Sequence, residues 1–242
     1  MKIGPVVLVL ADISGYTQFV RLNKISVMHA ETIVTDLLES ITRQARFPMT
    51  LNRLEGDAAF FYCEVADRNT SDVINDVAKQ IKLMMSAFTI AHGNLINKSV
   101  GGCICDACCH IDGLRLKVFA HFGETVIKQA NNHIELGGEP PIVIHRLSKN
   151  SVDSSEYVLV TDEFATYMAD DLYEDTETSI ESYDDIGDVG CKVFFPTTRT
   201  IIKPVAPRFS RLTGITEAIR LFWIGVIDRT RRKSRSYRNI PR

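Results

Sequence analysis

Two acidic side chains stand where the sequence predicts a buried strand and a tight turn. Asp12 ends an apolar run that begins at Val6, and an apolar run of this length bounded by turn residues indicates a buried strand. Burying an aspartate is costly unless the carboxylate is paired or holds a metal. Asp57 belongs to a Gly-Asp turn between two β-rich runs, 50–55 and 58–63. If this hairpin lies beside the first strand, the two carboxylates face one another, and with backbone oxygens they suit Mg²⁺ or Mn²⁺.

The turn that follows Asp12 offers a second feature of such a site. Its free backbone N–H groups, where a helix begins, favour an anion such as phosphate. A metal-bound phosphate needs carboxylates and backbone amides together. The alternative is that Asp12 only caps the next helix, because aspartate is among the preferred N-cap residues. The turn consists of Ser14, Gly15, Tyr16 and Thr17.

A run of thiols has a different potential chemistry. Thiolate and imidazole groups suit Zn²⁺, and four cysteines and one histidine fall within eight residues: Cys103, Cys105, Cys108, Cys109 and His110. The spacing is not that of a standard zinc finger, and close neighbours do not all ligate one ion easily. A structural zinc would need three of these residues and a distant ligand, such as Cys63 or a residue of another subunit. A set of free thiols in a loop is the alternative.

Composition indicates an ordinary globular protein. The 242 residues are 45% hydrophobic and 24% charged, which suits one large domain with its own core. A net charge of −2 gives no global preference for nucleic acid, and we expect no nucleic-acid partner. The first apolar run lacks a basic leader and is interrupted by Asp12, and no segment reaches the ~20 apolar residues of a spanning helix. We therefore expect a cytoplasmic protein with reduced cysteines.

Charge is unevenly distributed along the chain. Residues 162–188 contain eleven acidic side chains and no Lys or Arg, whereas residues 203–242 contain eleven Lys or Arg and two acidic side chains. Within this tail, residues 209–229 are predicted to form a helix with an apolar face and a basic flank. Such a helix favours peripheral contact with anionic lipid. Packing on the domain or on a dimer mate is the alternative.

The elements that must position these groups are strands and helices in alternation. Apolar side chains at helical spacing predict helices over 26–46 and 71–98, on either side of a hairpin over 49–65. The sequence divides into a domain over 1–200 and a basic tail over 201–242. Further strands are predicted at 114–121, 157–160 and 192–195, and further helices at 141–148 and 161–168. The acidic stretch 169–188 is predicted to be a solvated loop, or a loop and an edge strand.

Three segments in this order resemble the class III nucleotidyl cyclase catalytic domain. That family carries an Asp-Ile-x-Gly-Phe-Thr segment, a Gly-Asp hairpin and an Ile-His-x-Gly strand. Here residues 12–17 read Asp-Ile-Ser-Gly-Tyr-Thr, residues 54–58 read Leu-Glu-Gly-Asp-Ala, and residues 116–124 contain His121. The resemblance covers roughly residues 5–200 and is closest to a divergent bacterial branch. It implies an α+β fold, a ferredoxin-like βαββαβ domain with a central, mostly antiparallel sheet and helices on one face.

The resemblance also implies an activity. Class III cyclases convert a nucleoside triphosphate into a 3′,5′-cyclic nucleotide and pyrophosphate, with two metal ions at a site formed between two head-to-tail subunits. It implies a homodimer in which Asp12, Asp57 and the carbonyl of Ile13 hold Mg²⁺ or Mn²⁺. The amides of Ser14 to Thr17 would bind the phosphates, and His121 would be structural.

Several positions depart from the family pattern. The base-reading positions carry Arg53 and Glu135, which would form a base reader or simply a salt bridge. Arg146 matches the transition-state arginine, but Ile142 stands where the family has an asparagine, and no lysine is found near 186–187 to bind phosphate. Losing an oriented donor to a transition state costs about 10²–10³ in rate. The sequence therefore favours a divergent cyclase, with a weakly active or inactive nucleotide-binding module as the alternative.

Overall fold

The computed structural model describes residues 1–22, 27–99, 110–130, 133–169 and 176–196. The cysteines at 103, 105, 108 and 109 and the basic tail over 201–242 lie outside these residues, and so do the predictions made for them. The strands are β1 (Lys2–Ser14), β2 (Thr50–Glu55), β3 (Ala58–Glu64), β4 (Arg115–Ala130), β5 (His133–Gly137), β6 (Tyr157–Thr161), β7 (Thr176–Tyr183) and β8 (Gly187–Phe194). The helices are α1 (Tyr16–Leu22), α2 (Val27–Thr42), α3 (Thr70–Ser99), α4 (Glu139–Leu147) and α5 (Asp162–Ala165).

These strands form one sheet built around β1. Its order is β2-β3-β1-β4-β6-β8-β7, and β5 pairs with β4 outside this path. Strand β1 pairs antiparallel with β3 on one side and with β4 on the other. Among the described strands, β4 and β6 form the parallel pair of an otherwise antiparallel sheet. The predicted α+β class with a mostly antiparallel sheet is confirmed.

Strand β1 is apolar from Val6 to Ala11 because both of its faces are covered there. Side chains at odd positions, such as Val7 and Val9, pack in a core with α2 and α3. Side chains at even positions, such as Leu8, pack in a second core with α4. The prediction that all helices lie on one face is therefore wrong for α4, which covers the opposite face through Val143, Ile144 and Leu147. We call this side of the sheet the α4 face.

The long helices agree with the periodicity of their apolar residues. Ile33, Leu37 and Ile41 are buried along one stripe of α2, as the spacing predicts. The helix predicted at 141–148 begins two residues earlier. Prolines occupy its first turn, where a backbone N–H would have no intrahelical acceptor, so the N–H that proline lacks is not needed. The acidic stretch contains an edge strand, β7, which is the second of the two forms that the sequence allowed.

The β4–β5 hairpin lies over the α4 face. Ile127 is buried in the second core, and Ile134 packs against it. The side-chain amide of Asn52 in β2 donates a hydrogen bond of 2.7 Å to the carbonyl of Ile134. The hairpin is thus fixed to the edge strand on the far side of β1. Within the described part of the chain, no helix is long and apolar enough to cross a membrane.

Candidate functional site

Asp12 and Asp57 share one corner of the sheet. Asp12 pairs in register with Ala58 of β3 and with Lys117 of β4. The backbone N–H of Ile13 donates a hydrogen bond of 3.1 Å to the carbonyl oxygen of Asp57. The turn between β2 and β3 therefore lies against the end of β1, in the arrangement that the hairpin prediction required.

The electrostatics of this corner disfavour two bare carboxylates. Burial raises the pKa of Asp12 to about 6, and the negative charge of Asp57 adds to the effect, while Lys117 opposes it. Burial also raises the pKa of Asp57, and the nearby Glu31 contributes in the same direction. A divalent cation would relieve both the desolvation and the repulsion, so the donor set suits Mg²⁺ or Mn²⁺.

The number of side-chain ligands limits what such a cation could be. In the part of the chain that the structure describes, no group of three or more His, Cys, Asp or Glu side chains is placed to hold a metal ion. A cation at this corner would therefore take its remaining ligands from backbone carbonyls, water or phosphate oxygens. That is how Mg²⁺ is usually bound beside phosphates, with one or two protein carboxylates.

The turn after Asp12 is built on a glycine that no other residue replaces well. Gly15 has a φ of +89°, and a Cβ at this position would lie 2.8 Å from the carbonyl oxygen of Gly113. The N–H of Phe19 donates to the carbonyl of Gly15 at 2.9 Å, which starts helix α1. Asp12 lies within β1, four residues before the first residue of α1, so the capping alternative is wrong. The hydroxyl of Tyr16 donates to Glu31 at 2.9 Å.

Lys117 is a member of this corner that the sequence reasoning missed. It stands beside Asp12 in the register of β1 and β4, and its Nζ lies 5.1 Å from the centre of the Tyr157 ring. No motif marks it. The signal in the sequence is the alternation of β4, which puts Lys117 and the buried Phe119 on the same face of the sheet.

The two predicted base-reading residues are not paired within this chain. The guanidinium of Arg53 forms an ion pair with Glu55, donates to Asn52 Oδ1 at 3.2 Å, and lies 5.0 Å from the centre of the Phe60 ring. Glu135 lies in β5, opposite Lys128 in register. Arg53 is therefore oriented by residues of its own strand and the next.

Arg146 is held by a neighbouring turn. Its Nε and one terminal nitrogen donate to Asp185 Oδ2 at 2.9 and 2.5 Å. These hydrogen bonds lower the pKa of Asp185, which lies in the turn between β7 and β8. Ile142, one helical turn before Arg146, is 49% exposed. The helix α4 therefore presents an engaged cation and an exposed apolar side chain where the resemblance placed two transition-state residues.

The remaining predicted ligands contact groups of their own. Cys63 is buried in β3, with a guanidinium nitrogen of Arg68 at 3.5 Å from its sulfur, and burial raises the pKa of this thiol. His110 begins the short helical turn that leads into Ile111–Gly113. His121 is buried and hydrogen-bonded through Nδ1 to Thr161 Oγ1 at 2.9 Å, in agreement with a structural role. A zinc site remains a prediction.

Solved structures with a similar fold are class III nucleotidyl cyclases. The adenylyl cyclase CyaB from P. aeruginosa matches with a TM-score of 0.61 and 11% identity, over 82% of this chain and 97% of that one. The guanylyl cyclase Cya2 matches with a TM-score of 0.57 and 14% identity, over 84% and 96%. A class III adenylyl cyclase-like ATP-binding protein from Pseudomonas aeruginosa matches with a TM-score of 0.56 and 14% identity, over 70% and 36%. The fold is that of the class III cyclase domain.

Sequence similarity gives the family. Residues 34–157 match DUF2652, a family described as protein of unknown function. The uncharacterized protein Rv2561/Rv2562 of Mycobacterium tuberculosis is 32% identical over 155 residues, which cover 64% of this chain and 69% of that relative. The chain therefore belongs to the DUF2652 family.

Proposed function

We propose that this protein is a divergent nucleotidyl cyclase, which converts a nucleoside triphosphate into a 3′,5′-cyclic nucleotide and pyrophosphate. The observation that carries the proposal is the corner of the cyclase-type fold at which Asp12 and Asp57 meet. Both carboxylates are partly buried and have raised pKa values, and among the described residues the electrostatics give a cationic partner, Lys117, to Asp12 alone. A bound metal–nucleotide complex would give both carboxylates a cationic partner.

The proposed roles follow from the groups at this corner. Asp12, Asp57 and the carbonyl of Ile13 would hold Mg²⁺ or Mn²⁺, which supplies activation of the ribose 3′-hydroxyl and neutralises phosphate charge. The backbone amides of the turn at Ser14 to Thr17 bind the triphosphate. Lys117 favours the ionised form of Asp12, because its positive charge partly offsets the rise in the pKa of that carboxyl that burial and Asp57 cause.

The second half of the proposed site involves the base and the transferred phosphoryl group. Arg53 presents N–H donors to acceptor atoms of a base, and Glu55 and Phe60 fix its direction. Arg146 would stabilise charge on the phosphoryl group, in a site shared between two subunits of a homodimer. Ile142 offers no hydrogen bond, so we expect turnover about 10²–10³ below that of a site with a polar donor there.

The proposal is tested with the full-length protein, Mn²⁺ and each of the four ribonucleoside triphosphates. Mass detection of a cyclic monophosphate from at least one of them is the expected result. Asp57→Asn should abolish the product, whereas Asp153→Asn, which removes an exposed carboxylate between α4 and β6, should not. Product formation that persists in Asp57→Asn would contradict the assignment of the site.

A nucleotide-binding module without turnover is the second candidate. The pairing of Arg146 with Asp185 and the exposed apolar Ile142 favour it, because neither arrangement offers a free donor to a transition state. To test this candidate, the rise in melting temperature on adding nucleotide is measured for the unmodified protein and for Asp57→Asn. Stabilisation of the unmodified protein that is lost in Asp57→Asn, with no cyclic product from any nucleotide, would favour the module over the enzyme.

A further inference from the structure

A second concave site lies away from the Asp12 corner. It is a pocket of about 350 Å³ between β4, α4, α5 and β8. Its position along β4 is given by His121, four residues beyond Lys117, or about 13 Å along an extended strand. The volume is that of a small-molecule site rather than of a single ion. Nothing in the proposed cyclase chemistry uses this pocket.

Acidic side chains line the pocket. Carboxylates from four different elements stand around it: Glu124 of β4, Glu139 of α4, Glu163 of α5 and Asp188 of β8. No lysine or arginine is among its lining residues. Pro140 and Val143, both buried, contribute apolar wall. A concavity that combines an acidic rim with a part of apolar wall is complementary to a cation that carries hydrocarbon.

A buried imidazole forms part of the same lining. The side chain of His121 is only 9% exposed; its Nδ1 is hydrogen-bonded to Thr161 Oγ1 and lies 3.8 Å from Glu163 Oε2. The Nε2 atom lies on the side of Gly123, where a Cβ would come within 3.2 Å of it. The described residues provide Nε2 with no hydrogen-bond partner of its own. When Nδ1 carries the proton, Nε2 offers a lone pair to a donor in the pocket.

The spacing of these groups argues against a metal ion. In the described chain, no three or more ligating side chains converge as a shared cation would require. The carboxylates stand on separate elements around a cavity, so they fit positive charges distributed along a molecule. An alkyl polyamine has this form, because ammonium groups alternate with methylene segments.

We propose that this pocket binds an alkyl polyamine, with ammonium groups paired to the carboxylate rim and methylene groups against Pro140 and Val143. One ammonium donates to Nε2 of His121. Glu124 and Glu163 flank the side of the pocket formed by β4 and α5. The pocket shares helix α4 with Arg146 and the β7–β8 turn with Asp185, but none of its lining residues has a role in the proposed cyclase reaction.

Isothermal titration of the full-length protein with spermidine tests this proposal. We expect saturable binding with a stoichiometry of one, and at least about tenfold weaker affinity in the double variant Glu124→Gln, Glu163→Gln. Both side chains are exposed, so their neutral isosteres should leave the fold intact, which circular dichroism checks. The matched control is Glu177→Gln with Asp153→Asn, which removes the same charge from exposed sites outside the pocket.

Three results bear on the proposal. Unchanged spermidine affinity in Asp57→Asn supports a site separate from the Asp12 corner, and a large loss there would overturn it. Equal weakening in the pocket variant and the control variant would show general charge attraction and would also overturn it. Tight binding of Mn²⁺ that competes with spermidine and is lost in the pocket variant would assign the pocket to a metal instead.

Discussion

Asp12 sets the pH response of the candidate site at the scale of a single residue. Its pKa rises from 3.8 to about 6 on folding without metal, so the folded state binds the proton more tightly than the unfolded chain. Stability from this group is therefore present below pH 4 and lost as the pH rises through 6. At about 1.4 kcal/mol per pKa unit, the loss is at most about 3 kcal/mol.

We expect Asp12→Asn to raise the melting temperature at pH 7.5 in the presence of a chelator, because the variant no longer buries a charge. Addition of Mn²⁺ should stabilise the unmodified protein and leave the variant unchanged. Differential scanning calorimetry from pH 4 to 8 measures both effects, with Asp153→Asn as the control. A variant that is less stable than the parent at every pH would contradict the burial argument.

The ion pair of Arg146 is a second feature at this scale. Asp185 takes both donated hydrogen bonds through one oxygen, and both side chains are nearly half exposed, so the pair is weak. If Arg146 must leave Asp185 to reach a nucleotide, Asp185→Asn should increase turnover, within about fivefold for an exposed pair. Initial rates of cyclic-nucleotide formation at saturating substrate measure this increase.

The neighbouring acidic residue provides the control for that prediction. Asp184→Asn removes a charge from the same exposed turn without touching the ion pair, and it should leave the rate unchanged. A fall in rate in Asp185→Asn alone would give Asp185 a different role, that of positioning Arg146 for the reaction.

At the scale of elements, the junction of β1 and α1 depends on Gly15. Alanine there would adopt a left-handed φ and place its Cβ against the Gly113 carbonyl, so we expect Gly15→Ala to cost about 1–3 kcal/mol of unfolding free energy. Nucleotide affinity should fall as well, because the turn amides move. Urea unfolding and nucleotide titration measure the two effects.

Gly4→Ala, near the start of β1, is the matched substitution. Gly4 has no positive φ, and a Cβ there would meet nothing within 4 Å. We expect it to change stability by less than about 0.5 kcal/mol. Equal losses in both variants would mean that the strain argument at Gly15 is wrong.

The elements that could be predicted from sequence are those with strong local patterns. Three such predictions agree with the structure: the apolar run from Val6, the Gly-Asp hairpin and the stripe of α2. Each depends on the types and spacing of residues that are close in sequence. The side of the sheet that α4 covers could not be predicted. The apolar stripe of α4 shows that this helix packs against the protein. Which face of the sheet it covers depends on the path of the β4–β5 hairpin.

The site was predictable only in part for a similar reason. Asp12, Asp57 and Gly15 follow from turns whose residue types are distinctive. Lys117 and Asp185 reach their partners through strand pairing and through a turn far away in sequence. No local pattern encodes such pairings, so the sequence gives no sign that Asp185 engages Arg146.

At the scale of the whole molecule, the proposal requires two chains for one active site. Asp57→Asn damages the metal half and Arg146→Ala the phosphoryl half, and each variant alone should be inactive. Mixing them in equal amounts should restore about a quarter of the parental activity, since half of the dimers are mixed and each has one intact site of two. Rate measurements after subunit exchange test this expectation.

A mixture of two variants that both damage the metal half is the control. Asp12→Asn with Asp57→Asn should recover no activity, because every shared site lacks a carboxylate. Full activity in either single variant, or recovery in the control mixture, would contradict a site assembled from two subunits.

Among the described strands, β2 and β7 end the sheet without a further neighbour, and such edge strands are templates for fibre growth. Strand β2 is interrupted by a register shift between Leu51 and Arg53, and a bulged edge pairs poorly with another chain. Strand β7 has no such interruption; it carries the exposed Glu177 and lies within the acidic run 162–188. In acid, protonation would neutralise the carboxylates that protect β7, while the bulge of β2 would persist. Acid-induced aggregation should therefore begin at β7.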